Sequence, residues 1–239
     1  MDKRRNVLIT GANGGIGKNL VRIFKEAGYE VIATDISEHT YPDTSVTYIQ
    51  ADLSDEISVQ NMFRRIRAQF ETLDVLINNG AISHYCKPLS DLTVNEFDTV
   101  IRVNLRGAFI CMKEYISLHK ADAPGAIINI SSTRSFMNEP GWDAYGSSKG
   151  GLNSLTVSSA VSLSGTGITV NAIAPGWIQS EGYDELTEAD HRQHPSGRVG
   201  HPDDIGRMAL FLADPRNNFI NGEIIRIDGG MTAKMIYVE

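Results

Sequence analysis

Tyr145 and Lys149 stand four residues apart in the stretch Y-G-S-S-K, and Ser132 stands thirteen residues before the tyrosine. On a helix, an i, i+4 pair shares one face, which brings the lysine ammonium to the phenol. A free tyrosine, with a pKa of about 10, is a poor base at neutral pH. A neighbouring cation favours the phenolate, and a tyrosine so tuned transfers protons near pH 7. Ser132 follows the apolar run Ala126-Ile127-Ile128-Asn129-Ile130, at the C-terminal end of an expected strand. Its hydroxyl can hold a substrate oxygen there while that oxygen gains or loses charge. The pair alone is a weak signal, because a solvated lysine beside a half-buried tyrosine arises often by chance.

The N-terminus supplies the context. Residues 6–10 (N-V-L-I-T) read as a short buried strand. Gly11-Ala12-Asn13-Gly14-Gly15-Ile16-Gly17 follows at once, and Leu20, Val21, Ile23, Phe24 and Ala27 then recur at helical spacing up to Gly28. Strand, glycine turn and helix together make a phosphate site: the backbone approaches closely, and the helix start offers free N–H groups. A nucleotide-triphosphate loop is disfavoured, since Ala12 replaces its first glycine and Asn19 its hydroxyl residue. The pattern that stands here is T-G-x-x-x-G-x-G. Residues 29–35 form a second strand ending in Asp35, placed to accept both ribose hydroxyls of an adenosine. Its negative charge would face a 2′-phosphate, so Asp35 favours NAD over NADP. Asp52 closes a third strand, either to meet an adenine amino group or to cap the next helix at about residues 58–70.

Further strands are expected over residues 73–78, 126–131, 168–174 and 223–227. One or two long helices fall within 89–118, with Asn104 inside, and a catalytic helix runs over about 142–163. An asparagine inside a helix is mildly unfavourable, and a local side chain–backbone hydrogen bond is one explanation. Residues 181–197 read as a polar lid or loop with a short helix. Strands alternating with helices specify an α/β fold: one Rossmann-type, doubly wound domain with a parallel seven-stranded sheet and helices on both faces. Gly11, Asp35, Asp52, Asn78–Ala81, Ser132, Pro175 and Gly176 all fall at strand C-terminal ends, where such sheets bind ligands.

Composition bounds the rest. The chain has 239 residues, 41% hydrophobic and 21% charged, as for a soluble globular protein. A net charge of −7 argues against non-specific nucleic-acid binding. No apolar run approaches the roughly 18 residues of a membrane span. Two cysteines, Cys86 and Cys111, make no disulfide framework and read as reduced structural thiols of a cytoplasmic protein. His191 and His194 read as solvated residues of a polar loop rather than metal ligands, and no metal is expected. The sequon at Asn129 falls in a buried strand and is dismissed.

The whole chain resembles the short-chain dehydrogenase/reductase family. The resemblance rests on Thr10–Gly17, Asn104, Ser132, Tyr145-x-x-x-Lys149, Pro175-Gly176, Arg198-x-Gly200-x-Pro202 and Asp228-Gly229-Gly230, in that order. It implies catalysis by Asn104, Ser132, Tyr145 and Lys149. It implies cofactor contacts from Gly11, Asn13, Gly15, Ile16 and Gly17 in the loop, and from Asp35, Ile36, Asp52 and Leu53 around the adenosine. Asn79, Gly80, Ala81, Tyr145, Lys149, Pro175, Gly176 and Ile178 would face the nicotinamide half. In the implied reaction Tyr145 takes the alcohol proton as hydride passes to NAD⁺. Lys149 lowers the tyrosine pKa and binds ribose, Ser132 orients the substrate oxygen, and Asn104 holds a water. Two departures stand out: Gly80-Ala81 reverses the family's Ala-Gly, and Ser180 replaces a threonine.

The expected activity is interconversion of a secondary alcohol and a ketone. A 3-oxoacyl thioester, a sugar or polyol, and a steroid-like or small alcohol stay open as substrates. The acidic 181–190 loop makes a carrier-protein surface less fitting, and Trp142, Trp177 and Tyr183 either line an apolar pocket or pack. A catalytically silent dinucleotide-binding protein is the alternative, and the intact tetrad argues against it. A cofactor-free lyase would have lost the glycine loop, and a sugar-nucleotide epimerase would need a larger C-terminal part. The resemblance suggests a homotetramer, or homodimer, built on the Asn104 and Tyr145 helices.

Overall fold

The computed structural model describes residues 4–38 and 45–235. Its centre is one seven-stranded, all-parallel sheet: β1 Asn6–Thr10, β2 Glu30–Asp35, β3 Val46–Gln50, β4 Val75–Asn78, β5 Gly125–Ile130, β6 Ile168–Pro175 and β7 Ile224–Ile227. The strand order β3-β2-β1-β4-β5-β6-β7 reverses direction between β1 and β4. Registers such as Ile9↔Ala33, Ile9↔Ile77 and Ile77↔Ile128 bring the strand C-terminal ends to one edge.

The strands are apolar on both faces because helices cover both faces. Successive side chains alternate: Val7 and Ile9 enter one core, and Leu8 enters the other. On the first face, α1 (Gly15–Glu26) and α7 (Pro202–Ala213) bring Leu20, Phe24, Ile205 and Leu212. On the second, α2 (Glu56–Gln69) and α4 (Gly107–Leu118) bring Met62, Phe63, Ile66, Ile110 and Tyr115. Phe24 is fully buried, and truncating it to alanine would cost about 3–5 kcal/mol.

Capping sets several boundaries. Helix α2 starts at Glu56, ahead of the periodic pattern, because the Asp55 carboxylate accepts from the Ile57 N–H at 2.9 Å. Asp52 is therefore not the cap; its carboxylate accepts from the Ser54 N–H at 2.8 Å in a tight turn. Thr93 and Glu96 form a reciprocal capping box that starts α3 (Val94–Ile101). A single π-turn, Arg102–Arg106, joins α3 to α4, so the expected long helix is continuous but locally widened around Asn104. The helix expected to carry Tyr145 and Lys149 is α5 (Asp143–Ser162). Within the expected lid, a second capping box at Thr187 and Asp190 starts the short α6 (Glu188–Arg192).

Candidate active site

The sheet's direction reversal opens a crevice between the ends of β1 and β4, where ligands of such sheets bind. The Thr10 hydroxyl accepts from the N–H groups of Asn79 at 3.0 Å and Gly80 at 2.9 Å. In return, the Asn79 carboxamide donates to the carbonyls of Thr10 and Gly11, each at 2.9 Å. Asn79 is thus committed to holding the glycine turn. Gly11 has φ +63°, and a Cβ on it would lie 2.5 Å from the Gly80 Cα. A Cβ on Gly17 would lie 2.1 Å from the Gly11 carbonyl oxygen, so both positions require glycine. Helix α1 follows with no side-chain cap, which leaves its first N–H groups for an anion.

A cleft of about 120 Å³ beside this turn gathers Gly11, Asp35, Ile36, Asp52, Leu53, Gly80 and Ala81, together with Thr34, Ile82 and Val103. Among the described residues no lysine or arginine lines it. One Asp35 carboxylate oxygen accepts from the Asn13 N–H at 3.0 Å, which fixes the carboxylate at the cleft wall. The Asn13 carboxamide turns away, to Ser37 and Tyr48. The Thr34 hydroxyl is buried without a partner, as fits a site completed by a polar ligand. Glycine turn, open helix start, carboxylate and orphaned hydroxyl together fit a dinucleotide.

The other expected cofactor residues lie outside this cleft. A Cβ on Gly15 would fall 2.2 Å from the Ser180 side chain, so the glycine loop packs directly on the base of the 181–197 segment. Ile16 packs against the first core. Pro175 ends β6 opposite Ile227. Gly176 lines a cavity on the Ser132 side. Ile178 bridges to Gly200 and lines a separate cavity against α7.

The four tetrad positions come together across α5, the π-turn and the end of β5. Lys149 is 2% exposed, its ammonium donates to the Ile130 carbonyl at 2.7 Å, and it stands 5.6 Å from the Tyr145 ring centroid. Burial depresses the Lys149 pKa to about 8. Burial also pushes the Tyr145 phenol up, opposed by the adjacent Ser132 hydroxyl and by the charge of Arg134. The expected downward pull is present, but here it comes from Ser132 and Arg134, and desolvation outweighs it. Asn104 accepts from the Ile82 N–H at 2.8 Å and donates to the Ile82 carbonyl at 2.9 Å and the Ser148 hydroxyl at 3.1 Å. The Ser148 hydroxyl donates to the Tyr145 carbonyl at 2.7 Å. Asn104 therefore makes a long-range bond, not a local one, and explains its place in the helix.

Beyond Ser132 lies a cavity of about 540 Å³, lined by Arg134, Met137, Asn138, Gly176, Trp177, His194 and Met231 among others. The 181–197 segment is pinned over it: Tyr183 donates to the Val199 carbonyl at 2.6 Å, and Ser196 N–H donates to the Gly229 carbonyl at 2.9 Å. Arg198 grips Asp204 of α7 with two bonds, at 2.7 and 2.8 Å. This overturns the solvated reading of the histidines. His194 is 4% exposed with its Nδ1 unpartnered, and His191 Nδ1 accepts from the Val199 N–H at 3.1 Å. Among the described residues no three His, Cys, Asp or Glu side chains gather as a metal site. Cys111 is buried, but Cys86 is exposed and so is not a packing thiol.

A family model described as enoyl-(acyl carrier protein) reductase matches residues 11–232. The chain belongs to the short-chain dehydrogenase/reductase family. An uncharacterized oxidoreductase of Thermotoga maritima is 40% identical over 250 residues, covering 97% of each chain. The 3-oxoacyl-(acyl-carrier-protein) reductase FabG of Staphylococcus aureus is 35% identical over 245 residues, covering 97% of this chain and 99% of its own. The structure of an apo SCOR enzyme from Clostridium thermocellum superposes with a TM-score of 0.89 at 37% identity, covering 98% of this chain and 96% of its own. ElxO with NADP bound superposes with a TM-score of 0.85 at 32% identity, covering 97% of this chain and 100% of its own.

For the Gly80-Ala81 order of this short-chain dehydrogenase/reductase the structure supplies a reason. A Cβ there would lie 2.4 Å from the Leu53 Cδ1, so the leucine occupies the methyl's place. Four residues of the site escape sequence reasoning: Ile82, Ser148, Arg134 and His194. Ser148 and Arg134 stand one and two positions from tetrad residues, and proximity alone was the available signal. Trp142 stacks on Arg134 and Trp177 lines the cavity, whereas Tyr183 packs against His191 and His201.

Proposed function

We propose that this protein is an NAD(H)-dependent oxidoreductase that interconverts a secondary alcohol and its ketone, with Tyr145 as the proton-transfer group. The supporting observation is one arrangement: Asn104 ties Ile82, on the wall of a cleft that among the described residues presents carboxylates and no lysine or arginine, to α5, which carries Tyr145 and Lys149. A bound nicotinamide supplies the hydride acceptor or donor. Tyr145 accepts the hydroxyl proton in oxidation and returns it in reduction. Ser132 holds the substrate oxygen, Ser132 and Arg134 favour the phenolate, and Lys149 reaches the ribose hydroxyls. Asn104 fixes Ile82 at the cleft and α5 behind the tyrosine.

Asp35 carries the preference for NAD, because its fixed carboxylate would repel a 2′-phosphate and none of the described lining residues would neutralise one. The NADP bound by ElxO belongs to that protein. The chain works as one domain, with residues 180–198 closing over the substrate. Exposed Phe109 and Ile116 on α4 and Val157 and Val161 on α5 suit a homodimer or homotetramer built on those helices. A free, exposed Cys86 suits a reducing compartment such as the cytoplasm. Among the described residues no helix is long and apolar enough to cross a membrane.

NADH and NADPH titrations followed by cofactor fluorescence test this reading. Preferential NADH binding is expected. Preference for NADPH would remove the role of Asp35, and binding of neither would remove the dehydrogenase reading. Tyr145→Phe is expected to retain NADH binding and lose about 10²–10⁴ in turnover.

A further inference from the structure

The geometry points to an acidic substrate: a hydroxy acid, or the matching oxo acid, whose carboxylate is bound by Arg134 in place of Glu139. The inference rests on the alcohol dehydrogenase reading and names its substrate class. Arg134 lies two residues past Ser132, on the wall of the 540 Å³ cavity that Ser132 also lines. Its guanidinium is held 4.0 Å over the Trp142 ring, and that ring meets Tyr145 edge-on at 5.8 Å. Stacking fixes the plane of the cation without using its N–H donors. The cation is therefore anchored on the same cavity wall as Ser132, with its donor fork turned to a planar anion.

The present partner of that fork is Glu139, whose side chain is 68% exposed, against 26% for Arg134. Ion pairs with such an exposed partner are weak and exchangeable. A substrate carboxylate entering the cavity makes the same planar contact in a drier place and releases Glu139 to water. His194 adds a second polar position: it is 4% exposed, its Nδ1 has no partner, and it lines the same cavity. Met137, Trp177 and Met231 make the remaining wall apolar, as suits a carbon skeleton between the two polar ends. A neutral thioester would leave Arg134 nothing to exchange with. Five acids in residues 181–190 oppose a polyanionic carrier near the entrance. In oxidation the carbinol C–H leaves as hydride to an oxidised nicotinamide dinucleotide, the O–H proton goes to the Tyr145 oxygen, and the carboxylate is unchanged.

Of the protein's two tryptophans, Trp177 lines this cavity and Trp142 stacks on Arg134, so intrinsic fluorescence reads binding without turnover. The full chain is titrated with 3-hydroxybutyrate and 4-hydroxycyclohexanecarboxylate and with their methyl esters, and steady-state oxidation of the same four compounds is measured with NAD⁺. Acids are expected to bind and react in preference to esters. R134Q should lower the acid-to-ester ratio of kcat/KM by about 10–100-fold, chiefly through KM, with R134K in between. E139Q should move the ratio the other way, and it probes the site with Arg134 itself unsubstituted. Equal treatment of acids and esters, absence of Arg134-dependent acid binding, or an equal fall for both in R134Q would overturn the proposal. Arg134-dependent acid binding without oxidation would uphold the acid site and overturn the dehydrogenase reading instead.

Discussion

The Asn104 carboxamide donates to the Ser148 hydroxyl at 3.1 Å while holding both backbone groups of Ile82, at 2.8 and 2.9 Å. One side chain thus joins the loop after β4, which lines the cofactor cleft, to α5, which carries Tyr145. The π-turn at Arg102–Arg106 is what aims it there, and π-turns often mark functional positions. Asn104→Ala strands the Ile82 N–H and carbonyl. We expect a loss of about 1–3 kcal/mol in stability together with weakened NADH binding. Ser148→Ala removes one bond and should cost about 1 kcal/mol with NADH affinity kept. Thermal unfolding and NADH titration of both variants check this; unaltered NADH affinity in Asn104→Ala would break the link to Ile82.

Arg134 opposes the burial that pushes the Tyr145 phenol up. The proposed alcohol oxidation needs the Tyr145 phenolate, so its rate should climb as pH rises toward the tyrosine pKa. Removing the cation raises that pKa further. In Arg134→Gln, the rising limb of kcat/KM for a methyl ester substrate should therefore move to higher pH, and Arg134→Lys should move it less. A profile recorded over about pH 6–10 decides the point, and a limb that stays in place would detach Arg134 from the chemistry.

Lys149 makes a prediction about stability. Burial lowers its pKa from 10.5 to about 8. Below about pH 8 the lysine is charged in both the folded and unfolded chain, and its burial penalty is constant. Between about 8 and 10.5 the unfolded chain binds the extra proton, so this group makes the fold more stable as pH rises. Buried Cys111 and Tyr115, whose pKa values are raised, act in the opposite sense at higher pH. The comparison with Lys149→Met isolates the lysine: the melting temperature of the natural protein, relative to the variant, should climb through that window. A constant difference would mean that Lys149 titrates normally.

The parallel sheet and the shared helix face of Tyr145 and Lys149 were legible because each has a local signature. Short apolar runs ending in Gly, Asn or Asp mark strands, and the Y-x-x-x-K spacing marks one helix face. Arg134 and His194 carry no such signature. His194 is buried only because its segment is tied by Ser196 to Gly229 and by Arg198 to Asp204, contacts made by tertiary folding. The π-turn spans five residues, too few for a change of helical period to show in the hydrophobic pattern. Asp52 read equally well as a cap because Asp55, three residues on, offers the same chemistry, and only backbone geometry separates them.

The exchange of a methyl between positions 80 and 81 is compensated by Leu53. A Cβ on Gly80 would approach the Leu53 Cδ1 to 2.4 Å, and its next neighbours, the Gly11 nitrogen and the Thr10 hydroxyl, at 3.2 and 3.3 Å. Only the first is a true overlap, and it involves the end of a flexible side chain. Gly80→Ala should therefore cost about 1–3 kcal/mol by overpacking in the natural background. Leu53→Ala alone should lose its own packing against the second core. If the two side chains compete for one space, the alanine at position 80 becomes nearly free of cost once Leu53 is truncated. The double-mutant cycle should then show coupling of about 1 kcal/mol or more, favouring the pair. Strictly additive unfolding free energies would place the strain at the glycine turn instead and remove Leu53 as the compensating residue.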